Sequence, residues 1–355
     1  MFKNFWNNLK SRFSNDIAID LGTANTLVYV RGRGIVVNEP SVVAVNQKTN
    51  RVVAVGSAAR EMLGRTPAHI SAIKPMVGGV ISDFEVTEEM LAYLLKRAEG
   101  NKKTILGPRV IVGVPAGVTN VETRAVRDAA EGRGAREVFL VDEALAAAVG
   151  MKLPIKEPVG TMVVDIGGGT SDIVVISMGG AVRSKGLKIA GDRFNSDIVN
   201  FVRSEYKVLI GEKTAENVKI SIGSAASSGE NVSVSVRGRD LATGLPREIS
   251  ISDVNVRDAL APSLDILLES IRVVLESTPP ELTADVMRRG MYLVGGGALL
   301  RGLPSLIEEH IKIPVIIGED PLTAVARGAG VILENLDEFG SLLTEPDSND
   351  LPVPE

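Results

Sequence analysis

Apolar residues in this chain come in short runs broken by glycine-rich turns, with stretches of helical spacing between them. Two of the runs share one pattern. Residues 17–30 read IAIDLGTANTLVYV, and residues 162–176 read MVVDIGGGTSDIVVI. Each has an apolar run, an Asp, an apolar residue, a Gly, a turn of small residues and a second apolar run. That order predicts a strand, a turn and a returning strand. Asp20 aligns with Asp165 and Gly22 with Gly167, 145 residues apart. A unit that occurs twice predicts two similarly folded halves.

The stretches between follow the same logic. Residues 110–114 (VIVGV) and 138–141 (VFLV) have the unbroken apolar character of buried strands, while 88–99 and 119–133 have helical spacing. In the second half, 192–206 and 256–277 predict helices, the latter with Leu260, Leu264, Leu267, Leu268, Ile271 and Leu275 spaced for one face. Residues 291–294 and 315–317 predict strands. Residues 232–236 (VSVSV) and 249–251 alternate with period two around Gly244, Leu245 and Pro246, which predicts an antiparallel appendage. Strands mixed with helices in this way predict α/β layers.

Composition narrows the functional classes. A chain of 355 residues suits about two domains. Hydrophobic residues at 45% and charged residues at 23% are ordinary for a soluble globular protein. There is no Cys and there are only two His, which excludes disulfides, thiolate nucleophiles, iron–sulfur clusters and His-rich metal sites. A net charge of −5 gives no global basic field, so no nucleic acid is expected as a partner. No apolar run approaches the ~18–20 residues of a spanning helix, and the first residues lack the apolar core of a cleavable signal peptide.

The two ends differ sharply. Residues 1–14 read MFKNFWNNLKSRFS, in which Phe2, Phe5, Trp6, Leu9 and Phe13 fall close to one helical face among three basic residues and no acid. An aromatic stripe beside cations suits a helix lying in a lipid interface. A helix docked on its own domain, or on a partner, has the same pattern. Residues 341–355 carry acids and prolines without a base, and are expected to form a disordered tail.

The turns carry the candidate chemistry. Small residues let backbone N–H groups approach and cradle a phosphate. Each turn follows an Asp at the end of an apolar strand, a costly place for a carboxylate unless it is paired or linked to a metal. Two such Asp side chains could hold a hydrated Mg²⁺ against phosphates. A plain hairpin would use the same residue types. A third cluster, Gly295, Gly296 and Gly297, follows the run 291–294, and suits either close approach to a planar base or a flexible strand-to-helix turn. Neither a P-loop nor a dinucleotide glycine fingerprint occurs.

Asp20-Leu-Gly-Thr-Ala-Asn25, Asp165-Ile-Gly-Gly-Gly-Thr170 and Gly295-Gly-Gly297, in that order, resemble the actin-like ATPase superfamily. The runs IDLGTANTLVYVRGRGIVVNEPSVVAV, IGEKTAENVKISIGSA, LATGLPR and LVGGGALLRGL narrow the resemblance to the MreB family of bacterial actin homologues, over residues 16–333. The resemblance implies a duplicated actin-like (ribonuclease-H-like) α/β fold, with two lobes of two subdomains each around a nucleotide cleft. Lobe I would span 15–152 with a small subdomain at 40–71. Lobe II would span 153–340 with one at 191–257. The helix 1–14 is similar to the membrane-binding helix of many family members.

The resemblance also implies ATP and Mg²⁺ as cofactors. Asp20 and Asp165 would orient the metal and its waters. Gly22, Thr23, Ala24 and Asn25 would form the first phosphate turn, and Gly167, Gly168, Gly169 and Thr170 the second, with Gly191 and Asp192 returning towards it. Glu212, Lys213 and Glu216 would contact ribose and adenine, and Gly295, Gly296 and Gly297 would line the base pocket. Glu143 in VDEALAAAV would position the attacking water, as a carboxylate near a γ-phosphate can. The family commonly reads E-E-P-M-A-A-A there. This chain has Asp142 and Ala144 instead, so the Pro that begins the helix is missing.

The expected function is thus a cytoskeletal ATPase that polymerises with ATP into filaments of paired protofilaments. It would lie peripherally on the inner face of the cell membrane, in the cytoplasm, and organise cell-wall synthesis for rod shape. Membrane lipid and elongation-machinery proteins such as RodZ and MreC are the implied partners. The alternatives are a soluble monomeric ATPase of kinase or chaperone type, or a weakly hydrolysing paralogue. With only a short acidic end after Leu333, no peptide-binding domain of the chaperone kind is expected.

Overall fold

A computed structural model describes residues 16–100, 107–227, 229 and 231–344. The expected lipid-facing helix at 1–14 and the acidic tail from residue 345 lie outside the described residues. The chain opens with strands β1 (Ile17–Leu21), β2 (Asn25–Val30), β3 (Gly34–Pro40), β4 (Val43–Asn46) and β5 (Arg51–Val55), helix α1 (Ser57–Met62) and strand β6 (Ile70–Ile73). A small hairpin, β7 (Met76–Val77) and β8 (Val80–Ile81), leads to α2 (Phe84–Glu99), β9 (Arg109–Val114), α3 (Asn120–Glu131), β10 (Glu137–Asp142) and α4 (Glu143–Gly150). Next come β11 (Thr161–Ile166), β12 (Ser171–Ser177), β13 (Gly180–Leu187), α5 (Gly191–Tyr206), β14 (Val208–Leu209), α6 (Glu212–Ile222), β15 (Ser233–Asp240) and β16 (Pro246–Ser252). Helices α7 (Asp253–Ser277) and α8 (Pro280–Arg289), strand β17 (Met291–Val294), α9 (Leu303–Ile311) and β18 (Val315–Ile317) precede α10 (Ala324–Glu334) and α11 (Leu336–Phe339).

The residues fall into two compact units. The first holds the described residues up to Pro158, Ser177–Ala181 and those from Leu322; the second holds Val159–Ile176 and Val182–Pro321. Each is built on a five-stranded sheet, ordered β10-β9-β1-β2-β3 in the first and β13-β12-β11-β17-β18 in the second. The middle strand of each is antiparallel to the strand that follows it, β1 with β2 and β11 with β12. It is parallel to a later strand on its other side, β9 or β17, and that strand is parallel to the edge strand β10 or β18. The sequence repeat is therefore a repeat of topology.

Middle strands are covered on both faces, so they read as continuous apolar runs. Ile17, Ala18 and Ile19 of β1 are all fully buried, as are Met162, Val163 and Val164 of β11. In the first unit Ile17, Ile19, Val110 and Val112 pack with Met90, Leu91 and Leu94 of α2. Asp83 caps α2 by accepting from the Val86 N–H, and Thr119 with Glu122 forms a capping box at α3. In the second unit Val164 and Ile166 share a core with Phe194 and Ile198 of α5 and with Leu260, Leu264, Leu267 and Ile271 of α7. Smaller sheets β5-β4-β6 and β14-β15-β16 lie in the first and second units respectively.

Two expectations change. Residues from Leu322, expected with the second half, belong to the first unit. The reason is close helix packing. A Cβ on Gly328 of α10 would overlap the Ala146 carbonyl of α4, and one on Gly330 would enter the Tyr29 ring. Glu334 also accepts from the Tyr29 hydroxyl at 2.9 Å and from the Gly32 N–H at 3.0 Å. Residues 341–344, expected to belong to a disordered tail, are instead part of the fold. Leu342 is buried, and the Thr344 N–H donates to the Leu140 carbonyl at 2.9 Å.

Candidate functional site

In the first unit, β1 ends with Asp20, whose register partners are Leu27 on β2 and Gly113 on β9. Gly113 keeps the neighbouring space open: a Cβ there would lie 3.3 Å from the Glu143 Cγ. Asp20 and Glu143 thus flank the same glycine. The turn after β1 runs through Gly22, Thr23, Ala24 and Asn25, and a Cβ on Gly22 would lie 2.6 Å from the Asn25 carbonyl oxygen. Thr23 is buried and its Oγ1 accepts from the Gly79 N–H at 3.1 Å. Asn25 donates from its side-chain amide to Asn38 at 3.1 Å. The turn's carbonyls are also held. The Ser41 hydroxyl donates to the Gly22 oxygen at 2.5 Å, and the Ser41 N–H donates to the Ala24 oxygen at 3.0 Å.

Glu143 is the first residue of α4, and Asp142 is its N-cap. The Asp142 carboxylate accepts from the Ala144 N–H at 2.8 Å and the Leu145 N–H at 3.1 Å. Burial pushes the Asp142 carboxyl above its ordinary pKa, against the opposing pull of those two N–H donors. Sequence comparison with the family pattern left the helix start unsupported by proline. The structure supplies another start: the N–H that a proline at 144 would lack is one of the two that Asp142 holds.

The second unit repeats the plan. Asp165 is buried, with Asp172 on β12 and Val294 on β17 as register partners. Its turn closes through the Gly167 N–H, which donates to the Thr170 oxygen at 2.9 Å. Here the turn's carbonyls are held by the start of α5: the Gly191 N–H donates to the Gly167 oxygen at 3.1 Å, and the Asp192 N–H to the Gly168 oxygen at 2.8 Å. Gly295 has φ of 77°, and a Cβ on it would strike both the Asp165 carboxylate and the Ile166 carbonyl. A Cβ on Gly297 would enter the Ile166 side chain. The third glycine cluster is thus required by close approach to β11, and Gly296 lies between these two positions at the start of a 3₁₀ turn, Gly296–Leu299.

Glu212 and Lys213 lie exposed in the first turn of α6, and Glu216 is half-buried one turn on. Lys219 on the same helix donates from Nζ to the Gly191 oxygen at 2.9 Å. It thereby ties α6 to the segment that holds the second turn. Sequence reading singled out Lys213 and missed Lys219, although 212, 216 and 219 follow the i, i+4, i+7 spacing of one helix face. Ser41 was missed for a different reason: a lone Ser after Pro carries no periodic signal.

Within each unit, backbone N–H groups in the turn of small residues suit an anion, and the strand-end carboxylate, Asp20 in the first unit and Asp165 in the second, suits a hydrated cation associated with it. Among the described residues no group of three or more His, Asp or Glu could hold an ion by itself. A single strand-end carboxylate of this kind fits Mg²⁺, which keeps several waters and uses one or two carboxylates with substrate phosphates. No helix among the described residues is long and apolar enough to cross a membrane.

The family model described as MreB/Mbl protein matches residues 14–341. The cell shape-determining protein MreB of Escherichia coli K12 is 52% identical over 335 residues, 93% of this chain and 96% of its own. Among solved structures, MreB 5 of Spiroplasma citri bound to AMPPNP is similar with a TM-score of 0.86 at 39% identity, covering 92% of this chain and 98% of its own. A MamK double helical filament is similar with a TM-score of 0.78 at 25% identity, covering 90% of this chain and 99% of the MamK chain.

Proposed function

The chain belongs to the MreB/Mbl family, and on that premise we propose that it is a cell-shape-determining, actin-like filament protein that binds and hydrolyses ATP. The observation that carries the reading is the repeated turn: a strand-end Asp, then small residues whose carbonyls are tied back, once in each unit. The AMPPNP bound to the Spiroplasma MreB 5 supports a nucleoside triphosphate as the ligand.

In this reading the turns 22–25 and 167–170 hold the phosphates of ATP through backbone N–H groups. Asp20 and Asp165 hold waters of the accompanying Mg²⁺, whose chemistry when bound is to neutralise phosphate charge. Glu212, Lys213 and Glu216 contact ribose and adenine, and the glycines at 295–297 line the base. Glu143 orients the attacking water, and the Asp142 cap keeps the start of its helix in place. Hydrolysis is therefore retained despite the absent proline.

Self-assembly is supported by the MamK filament, and paired protofilaments are the proposed form. Residues 1–14 would carry the filament to the inner face of the cell membrane, where RodZ and MreC are the proposed partners. The test is assembly and phosphate release by the purified full-length chain in MgATP, with the filaments imaged in negative stain. We expect filaments with ATP, and we expect Glu143→Ala to bind ATP while losing phosphate release by about 100-fold or more. A chain that neither assembles nor releases phosphate overturns the reading.

A further inference from the structure

Ser41 is fully buried, and it is engaged at three points. Its hydroxyl donates to the Gly22 oxygen at 2.5 Å, and its N–H donates to the Ala24 oxygen at 3.0 Å. Its Oγ also lies 2.8 Å from the buried Thr26 Oγ1. A hydroxyl has one proton, and that of Ser41 goes to Gly22, so Thr26 is the donor in the pair. The Ser41 side chain therefore has its one donor committed to the turn.

Peptide planarity turns this into a statement about the ligand face. In a trans peptide the C=O and the following N–H point in opposite directions. Holding the Gly22 and Ala24 carbonyls on Ser41 forces the N–H groups of Thr23 and Asn25 to the side away from it. We propose that Ser41 is a positioning residue that sets the anion-binding face of the first turn, aiming these amides at the phosphates of the nucleotide. The assignment rests on the ATP reading above and adds to it a residue that touches no ligand.

The second unit shows the same device with different donors. There the Gly191 and Asp192 N–H groups hold the Gly167 and Gly168 carbonyls, which turns the Gly168 and Gly169 amides the other way. Backbone does that work in the second turn. In the first, one bond depends on a side chain, so a point substitution can release it.

The test uses the full-length chain and two variants, Ser41→Ala and Thr26→Val. Both remove a buried hydroxyl from the same pair, but only the first frees a turn carbonyl. Affinities for MgATP and for adenosine are measured by calorimetry, and unfolding midpoints are measured without nucleotide. Ser41→Ala is expected to weaken MgATP binding about three- to tenfold, with adenosine unchanged. Thr26→Val is expected to bind MgATP like the wild type, even where its midpoint falls. Equal weakening in both variants, equal loss for adenosine, or unchanged MgATP binding in Ser41→Ala overturns the assignment. A wild-type chain that binds no MgATP overturns the ATP reading itself, and this assignment with it.

Discussion

Glu39 is the residue whose chemistry most exceeds what its position in the sequence suggests. It is a buried carboxylate at the end of β3, two residues before Ser41. It accepts from the Ser57 N–H and hydroxyl, both at 2.8 Å, and pairs with Arg97 of α2. Burial alone pushes its pKa up, but the Ser57 and Arg97 contacts outweigh that and hold it below the ordinary glutamate value. A carboxyl lowered in the folded state adds stability above its unfolded pKa, and that contribution is lost as pH falls through the folded one. Wild-type stability should therefore drop as pH moves below the ordinary glutamate range. In Arg97→Met the drop should be shallower, because less of the lowering remains to be lost. Urea unfolding over a pH series checks this, and identical acid slopes would refute it. Tyr29 shows the opposite balance: burial, then its hydrogen bond to Glu334 and that residue's charge, push it up to about 12, so it stays a neutral donor to α10. Neither partnership could be read from the sequence, because Glu39 and Arg97 are 58 residues apart and Tyr29 and Glu334 are 305 apart.

Elements show where local chemistry does decide the outcome. The start of α4 depends on a single cap, and Asp142 and Ala144 act as a pair there. Asp142→Ala should cost about 1 kcal/mol of stability, the usual value of an N-cap. Ala144→Pro should cost more in the wild-type chain than in the Asp142→Ala chain, since only the former loses a bonded N–H. A double-mutant cycle by urea unfolding measures the difference, and strict additivity would sink the pairing. The cap is a local motif and is legible in the sequence, since an Asp directly before an Ala-rich helix is an N-cap residue type. Helix α10 is the contrary case. Its small residues mark it as closely packed, but a run such as Gly328-Ala329-Gly330 does not say which partner comes close.

At the scale of the whole molecule, the duplication gives each unit one strand-end carboxylate and one turn of small residues with its carbonyls held. The proposed membrane attachment belongs to this scale too. Trp6→Glu should abolish co-sedimentation with anionic liposomes while leaving MgATP affinity unchanged, and undiminished lipid binding would refute the anchoring role of residues 1–14. The repeated hairpins, the Asp and Gly positions within them, and the α/β character were determined by the sequence alone. They are local: period-two and period-3.6 patterns and turn residues act over a few neighbours. The tertiary structure decided three other things. It assigned the chain from Leu322 to the first unit, required glycine at 295 and 297 through contact with β11, and placed Ser41 behind the first turn and Lys219 beside Gly191. The physical reason is distance along the chain. A hydrogen bond or a steric limit between residues far apart in sequence exists only once the sheets have formed, and no periodicity records it beforehand.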